Sequence, residues 1–156
     1  MGRRLPPTLG AMELTAEIES AWGWVGIKPA KVVGDNSFGN LIVEDENGRY
    51  WRLCPEDLSC EVIAQSCREL DALSTSQDFL HDWYMKTLVA QARELLGPLR
   101  PGYKYCLKVP AVLGGEYGGS NLATISLAGL VAASGHIAKQ IRDLPDGTKV
   151  QFKITE

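Results

Sequence analysis

Apolar positions Leu14, Ile18, Ala21, Trp22 and Val25 recur at helical spacing, and Glu13, Glu17 and Glu19 fall on the other side. The pattern predicts an amphipathic helix over 12–24, with acids in its early turns where the helix dipole favours them. Gly26 then reads as a stop, and Ile27-Lys28-Pro29 bends the chain away.

Two β-prone runs follow, 38–45 and 49–54, with Asn47-Gly48 between them. That dipeptide favours a two-residue type I′ turn, because both positions tolerate positive φ. The turn would pair Glu46 with Arg49, Val43 with Arg52 and Ile42 with Leu53. Leu41, Val43, Tyr50 and Cys54 would then share one face, and Ile42, Trp51 and Leu53 the other. Apolar residues on both faces predict a hairpin inside a covered sheet.

Cys54-Pro55-Glu56-Asp57 ends the strand and is expected to open a helix, whose buried stripe would be Val62, Ile63, Cys67 and Leu70. After the polar break at 74–77, a longer helix is predicted over 77–96 on Phe79, Leu80, Trp83, Leu88, Ala92 and Leu95, closed by Gly97-Pro98. Strands are expected over 103–109 and 121–126, with a glycine-rich loop at 113–119 between them. A helix over 127–144, with a kink or division near Gly135 left open, leads to a final strand over 149–154. Val150, Phe152 and Ile154 would share that strand's inward face. The reading is α+β: a mainly antiparallel sheet with a central β-hairpin, flanked by about four helices. A mobile tail over 1–11 would precede a single domain over 12–156.

Composition narrows the function. At 156 residues, 45% apolar and 22% charged, the chain is ordinary globular material for one domain. Its net charge of −3 argues against a nucleic-acid binder, whose affinity rests on a cationic field. Two prolines interrupt 5–10, so no export signal is evident, and no run approaches the roughly 20 apolar residues of a membrane span. A cytoplasmic location is expected. Cys54, Cys60, Cys67 and Cys106 form no CxxC pair and read as reduced, mostly buried thiols.

Candidate chemistry is sparse. Neither His81 nor His136 joins a second histidine or a cysteine at metal-binding spacing, so no metal or cofactor is implied. No Gly-x-Ser-x-Gly elbow is present, and no nucleophile is placed beside a base. The 114–119 loop carries Glu116 and Tyr117 where a phosphate loop would usually carry lysine, and it runs toward a strand rather than a helix. A glycine-flanked Glu-Tyr pair does suit recognition, since tyrosine buries area at low entropic cost.

Several phrases carry a family likeness. Leu113-Gly114-Gly115-Glu116-Tyr117, Asn121-Leu122 and the run from Ser134 through Gly147 (SGHIAKQIRDLPDG) resemble bacterial immunity proteins encoded beside type VI secretion toxins. Phe38-Gly39-Asn40, Tyr50-Trp51-Arg52, Cys54-Pro55-Glu56-Asp57-Leu58 and the Phe79–Trp83 stretch add to it, and the likeness covers about 22–154. The resemblance implies a binding protein, not an enzyme. It would dock on a cognate secreted toxin encoded by the adjacent gene, a cytosol-acting nuclease or NAD glycohydrolase, and cover its active site. No membrane and no nucleic-acid partner is implied. On that reading Glu44, Asp45 and Glu46 at the hairpin tip, Glu116 and Tyr117 in the glycine loop, and Asp35 are the toxin-contact candidates, as exposed acids around an aromatic anchor. A small-ligand or scaffold domain is the alternative, followed by a small hydrolase that reverses toxin damage.

Overall fold

The computed structural model describes residues 11–144, with side chains from Glu13 onward. The expected tail, apart from Ala11, and the expected strand over 149–154 lie outside the described residues. Helix α1 (Ala11–Trp22) forms where the apolar spacing placed it, and a 3-10 turn over Gly23–Val25 follows. Gly26 closes it at φ 100°, its N–H donating to the Gly23 carbonyl at 2.9 Å.

Strands β1 (Pro29–Asp35), β2 (Leu41–Asp45), β3 (Tyr50–Cys54) and β4 (Ser59–Ala64) form an antiparallel sheet in that order. β1 was not foreseen. It is an edge strand, the place in a sheet where a proline such as Pro29 is tolerated.

The hairpin is real, but its register differs from the expected one. Leu41 pairs with Leu53, Ile42 with Arg52, Val43 with Trp51 and Glu44 with Tyr50. The turn spans three residues instead of two, from Asp45 to Arg49, with Gly48 at φ 81°. Asp45 causes this by accepting the backbone N–H groups of Asn47 and Arg49 at 2.8 and 2.9 Å. A one-residue slip exchanges the partners on each face. Trp51 and Leu53 therefore join Leu41 and Val43 in one core, while Ile42 and Tyr50 lie in another.

The helix expected after Cys54 is corrected to a 3-10 turn (Pro55–Asp57) followed by β4. Leu58 takes a left-handed conformation at φ 50° and ends the turn, and Ser59–Ala64 then pairs with β3. Helical spacing had linked Val62, Ile63, Cys67 and Leu70, but β-branched Val62 and Ile63 suit a pleated strand better. Helix α2 (Cys67–Leu73) begins only after it, capped by the Ser66 hydroxyl.

The long helix is also divided, into α3 (Gln77–Tyr84) and α4 (Lys86–Leu96), by Met85 at φ 48°. The break has a packing reason. Phe79 and Trp83 of α3 pack with Ile42 and Tyr50 of the four-stranded sheet. Leu88, Val89 and Ala92 of α4 pack instead with Phe38, Tyr105, Leu107 and Leu122. A straight helix could not address both.

β5 (Tyr103–Leu107) and β6 (Leu122–Ser126) form a separate antiparallel pair. The Tyr105 N–H ties it to the Ser37 carbonyl at 2.9 Å. α5 (Leu127–Ile141) starts under a Ser126 cap and runs unbroken through Gly135. Gly135 marks the crossing with α1: a Cβ there would lie 2.4 Å from the Ala21 carbonyl oxygen. With the split at Met85 the described residues hold five α-helices. α1 and α5 cover one face of the four-stranded sheet, and α2 and α3 pack on the other. The fold is α+β, as expected.

Candidate interaction surface

One end of the four-stranded sheet carries a connected polar system. Arg52 on β3 donates to the Asn40 side-chain oxygen from Nε and Nη2, at 3.1 and 2.9 Å, and to Asp82 at 2.5 Å. Its guanidinium lies 5.2 Å from the Trp83 ring centroid. Asn40 is fully buried and donates to Glu56 at 2.8 Å. Burial pushes the Glu56 carboxyl above its usual range, although Asn40 acts the other way. These partners consume the cationic and amide groups internally and fix the 3-10 turn that bears Asp57.

Asp57 is exposed and receives the Tyr117 hydroxyl at 2.9 Å. Burial, and then this bond to Asp57, raise the Tyr117 phenol above its ordinary value. The contact joins chain positions 60 residues apart and fixes the tip of the glycine loop. Asn121 builds that loop. Its side-chain oxygen accepts the Val109 N–H at 2.9 Å, and its amide donates to the Val109 and Glu116 carbonyls at 3.0 and 2.8 Å. Gly115 is obligatory here, because a Cβ would lie 1.8 Å from the Val109 oxygen. The loop is therefore a shaped platform. Glu116 is exposed and Tyr117 keeps 53% of its surface accessible.

Tyr117 stands on the rim of two adjoining clefts. One, of about 380 Å³, includes Arg52, Asp57, Glu61 and Asp82 in its walls; the other, of about 350 Å³, includes His81, Lys86 and Gln91. The exposed carboxylates of Asp57, Glu61 and Asp82 outnumber the single base of the first cleft, whose guanidinium is already engaged. Cys54 donates its thiol to Asp57 at 3.4 Å. Burial and the neighbouring carboxyls raise the Cys54 pKa, the opposite of what a reactive thiolate requires. Both histidines are exposed. Among the described residues no group of three or more His, Cys, Asp or Glu could hold a metal ion, and no helix is long and apolar enough to cross a membrane.

The six sequence candidates fall into two groups. Asp35 ends β1 opposite Leu41, at the same sheet end as Asp57, and forms an ion pair with Lys104. Glu116 and Tyr117 belong to the platform. Glu44, Asp45 and Glu46 lie at the other end, a strand length of roughly 13 Å away. Glu46 is exposed and Glu44 half-buried opposite Tyr50. Asp45 corrects the expectation of an exposed acid: only 3% of its surface is accessible. Besides two backbone N–H groups it accepts the Trp51 indole at 2.9 Å and the Arg49 Nε at 3.0 Å. Burial acts to raise its pKa, but these donors outweigh it and hold the carboxyl below the usual range.

Sequence reasoning missed Asp57, Glu61 and Asp82 as surface partners of Tyr117. Asp57 had been placed in a helix start, and only the long-range bond to Tyr117 gives it another role. The Asn121-Leu122 phrase was a usable signal, since an asparagine ending a glycine loop suits side-chain bonding to that loop's backbone.

Residues 64–137 match the family model described as T6SS immunity protein Tdi1, C-terminal. No curated protein matches the chain. The matched stretch runs from the end of β4 through α2, α3, α4 and both strands of the second sheet, and it includes the Tyr117 platform with its Asn121 brace. Over that stretch the chain is similar to the type VI secretion immunity family.

Proposed function

We propose that this protein neutralises a cognate type VI secretion toxin by docking the Tyr117 platform over the toxin's active site. The partner is the toxin encoded by the adjacent gene, and its activity is that of a cytosol-acting nuclease or NAD glycohydrolase. The protein works as a stoichiometric inhibitor in the bacterial cytoplasm and not as an enzyme. One observation carries the reading: a half-exposed tyrosine of the family-matched region, braced by Asn121 and Asp57, stands among exposed carboxylates.

Such a surface combines the two parts of a tight interface, a preorganised aromatic anchor and a charged rim. The acids Glu116, Asp57, Glu61 and Asp82 suit a basic catalytic cleft, where complementary charge speeds association. Asp35 lies at the same sheet end and extends the rim. Glu44 and Glu46 would be reached only by a partner that also wraps the far end of the sheet. The test is co-expression of protein and toxin, followed by affinity and toxin-activity measurements with Tyr117→Ala and Glu116→Lys. Loss of binding and of protection supports the reading; full protection by both variants removes the platform from it.

A further inference from the structure

The four-stranded sheet ends in two edge strands, and they differ. β1 carries features that discourage pairing: Pro29, Lys31, and register irregularities between Pro29 and Lys31 and between Val32 and Gly34. β4 holds neither proline nor lysine and pairs evenly with β3 from Ser59 to Val62. Its one irregularity lies opposite the Tyr50–Trp51 step, at the far end.

The register shows which main-chain groups the β4 edge presents. The Asp45 N–H donates to the Arg49 carbonyl at 2.8 Å, so these two residues form a hydrogen-bonded pair. Bonded and non-bonded pairs alternate along antiparallel strands. Trp51 and Leu53 therefore turn their N–H and C=O groups to β2, whereas Arg52 and Cys54 turn theirs to Glu61 and Ser59. The main-chain groups of Cys60 and Val62 are left facing outward, where they meet no hydrogen-bond partner among the described residues. Side chains alternate in the other sense. Cys60 and Val62 pack in the core with α1, while Ser59, Glu61 and Ile63 line the cleft beneath Tyr117. Glu61 is exposed there, and Asp57 and Asp82 share that cleft.

An open edge beside an acidic cleft suits an extended segment, because main-chain bonds give affinity and alternate side chains give specificity. We infer that an extended segment of the toxin adds to β4 as a fifth strand and sets a basic side chain beside Glu61. The inference deepens the immunity reading and rests on it. A strand added about 4.8 Å outside β4 lies at the margin of the Tyr117 cleft, so one partner engages both.

The test uses the full chain and its toxin, with amide hydrogen exchange read by NMR. In the free chain the Cys60 and Val62 amides should exchange at least tenfold faster than that of Glu61, which is bonded to β3. Toxin binding should slow both at least tenfold. Val62→Pro removes an outward donor without taking a bond from β3, and should weaken toxin binding at least tenfold in calorimetric titration. Glu61→Lys should do the same by repelling the basic side chain, and parent-like affinity there would overturn the pairing with Glu61. If the toxin binds and Tyr117→Ala weakens it, while the Cys60 and Val62 amides exchange as in the free chain, strand addition is wrong and the immunity reading stands. That comparison needs no variant, so it decides even if Val62→Pro fails to fold. A parent chain that does not bind the toxin at all overturns both. Slowing that grows with protein concentration in the absence of toxin, and does not increase when toxin is added, gives the edge to a second copy of this chain and likewise refutes the inference.

Discussion

The hairpin tip and the glycine loop look alike on paper: each is a turn with glycine, carboxylates and a nearby aromatic residue. In the folded chain they do opposite things. At the tip, the acid is the brace. Asp45 turns inward, collects four donors and sets the register of β2 and β3. In the loop an amide, Asn121, braces the backbone, so Glu116 and Tyr117 remain available outside. An acidic turn residue is structural when backbone and indole N–H groups claim its oxygens. It is free for a partner when another side chain has already satisfied those groups.

The sharpest way to break this comparison is to remove the inward acid. Asp45→Ala strands the Trp51 indole and two turn N–H groups, and should cost roughly 2–4 kcal/mol of stability. Urea unfolding measures it, and toxin affinity of the folded fraction should stay near the parent value. The pH dependence follows in sign. Because the folded Asp45 pKa is depressed, its contribution is present above the unfolded carboxylate range and is lost as pH falls through the folded value. Asp45→Asn should therefore flatten the acid limb of the stability curve.

Next in size is the loop brace. Asn121→Ala leaves Val109 and Glu116 backbone groups without their partner, for a stability loss of about 1–3 kcal/mol. Unlike Asp45→Ala, it should also weaken toxin binding about tenfold, because Tyr117 is no longer preorganised. Equal affinities for the two variants would erase the distinction between the regions.

A smaller effect sits at Glu56, where the sign reverses. Its folded pKa is raised, so its contribution is full below the unfolded carboxylate range and declines as pH rises through the folded value. Glu56→Gln should remove that decline, which urea midpoints taken from pH 4 to pH 8 would reveal. A parent curve that rises over the same interval because of Glu56 would contradict the burial argument.

Much of the fold was legible. α1 and its glycine stop, the hairpin's existence, the 103–107 and 122–126 strands and the start of α5 followed from periodicity and caps. What was hidden depended on contacts distant in sequence or on one side chain's choice of partner. Asn47-Gly48 favours a two-residue turn, and Asp45 overrode it by accepting two backbone N–H groups. Val62 and Ile63 fit a helical stripe and a strand alike until β3 claims them as a neighbour. Met85 carries no breaker signal; the need to pack α3 and α4 against different sheets imposes its left-handed turn. The candidate surface was half visible. Glu116 and Tyr117 were named, whereas Asp57 acquires its place only through a bond spanning 60 residues.

The most direct measurement compares Tyr117→Ala with Glu46→Lys, both at exposed positions, in binding to the toxin encoded beside this gene. Tyr117→Ala should bind at least tenfold more weakly, about 1.4 kcal/mol or more, and Glu46→Lys should have little effect. Parent-like affinity for Tyr117→Ala, together with a large loss for Glu46→Lys, would contradict it and move the toxin's seat to the hairpin tip.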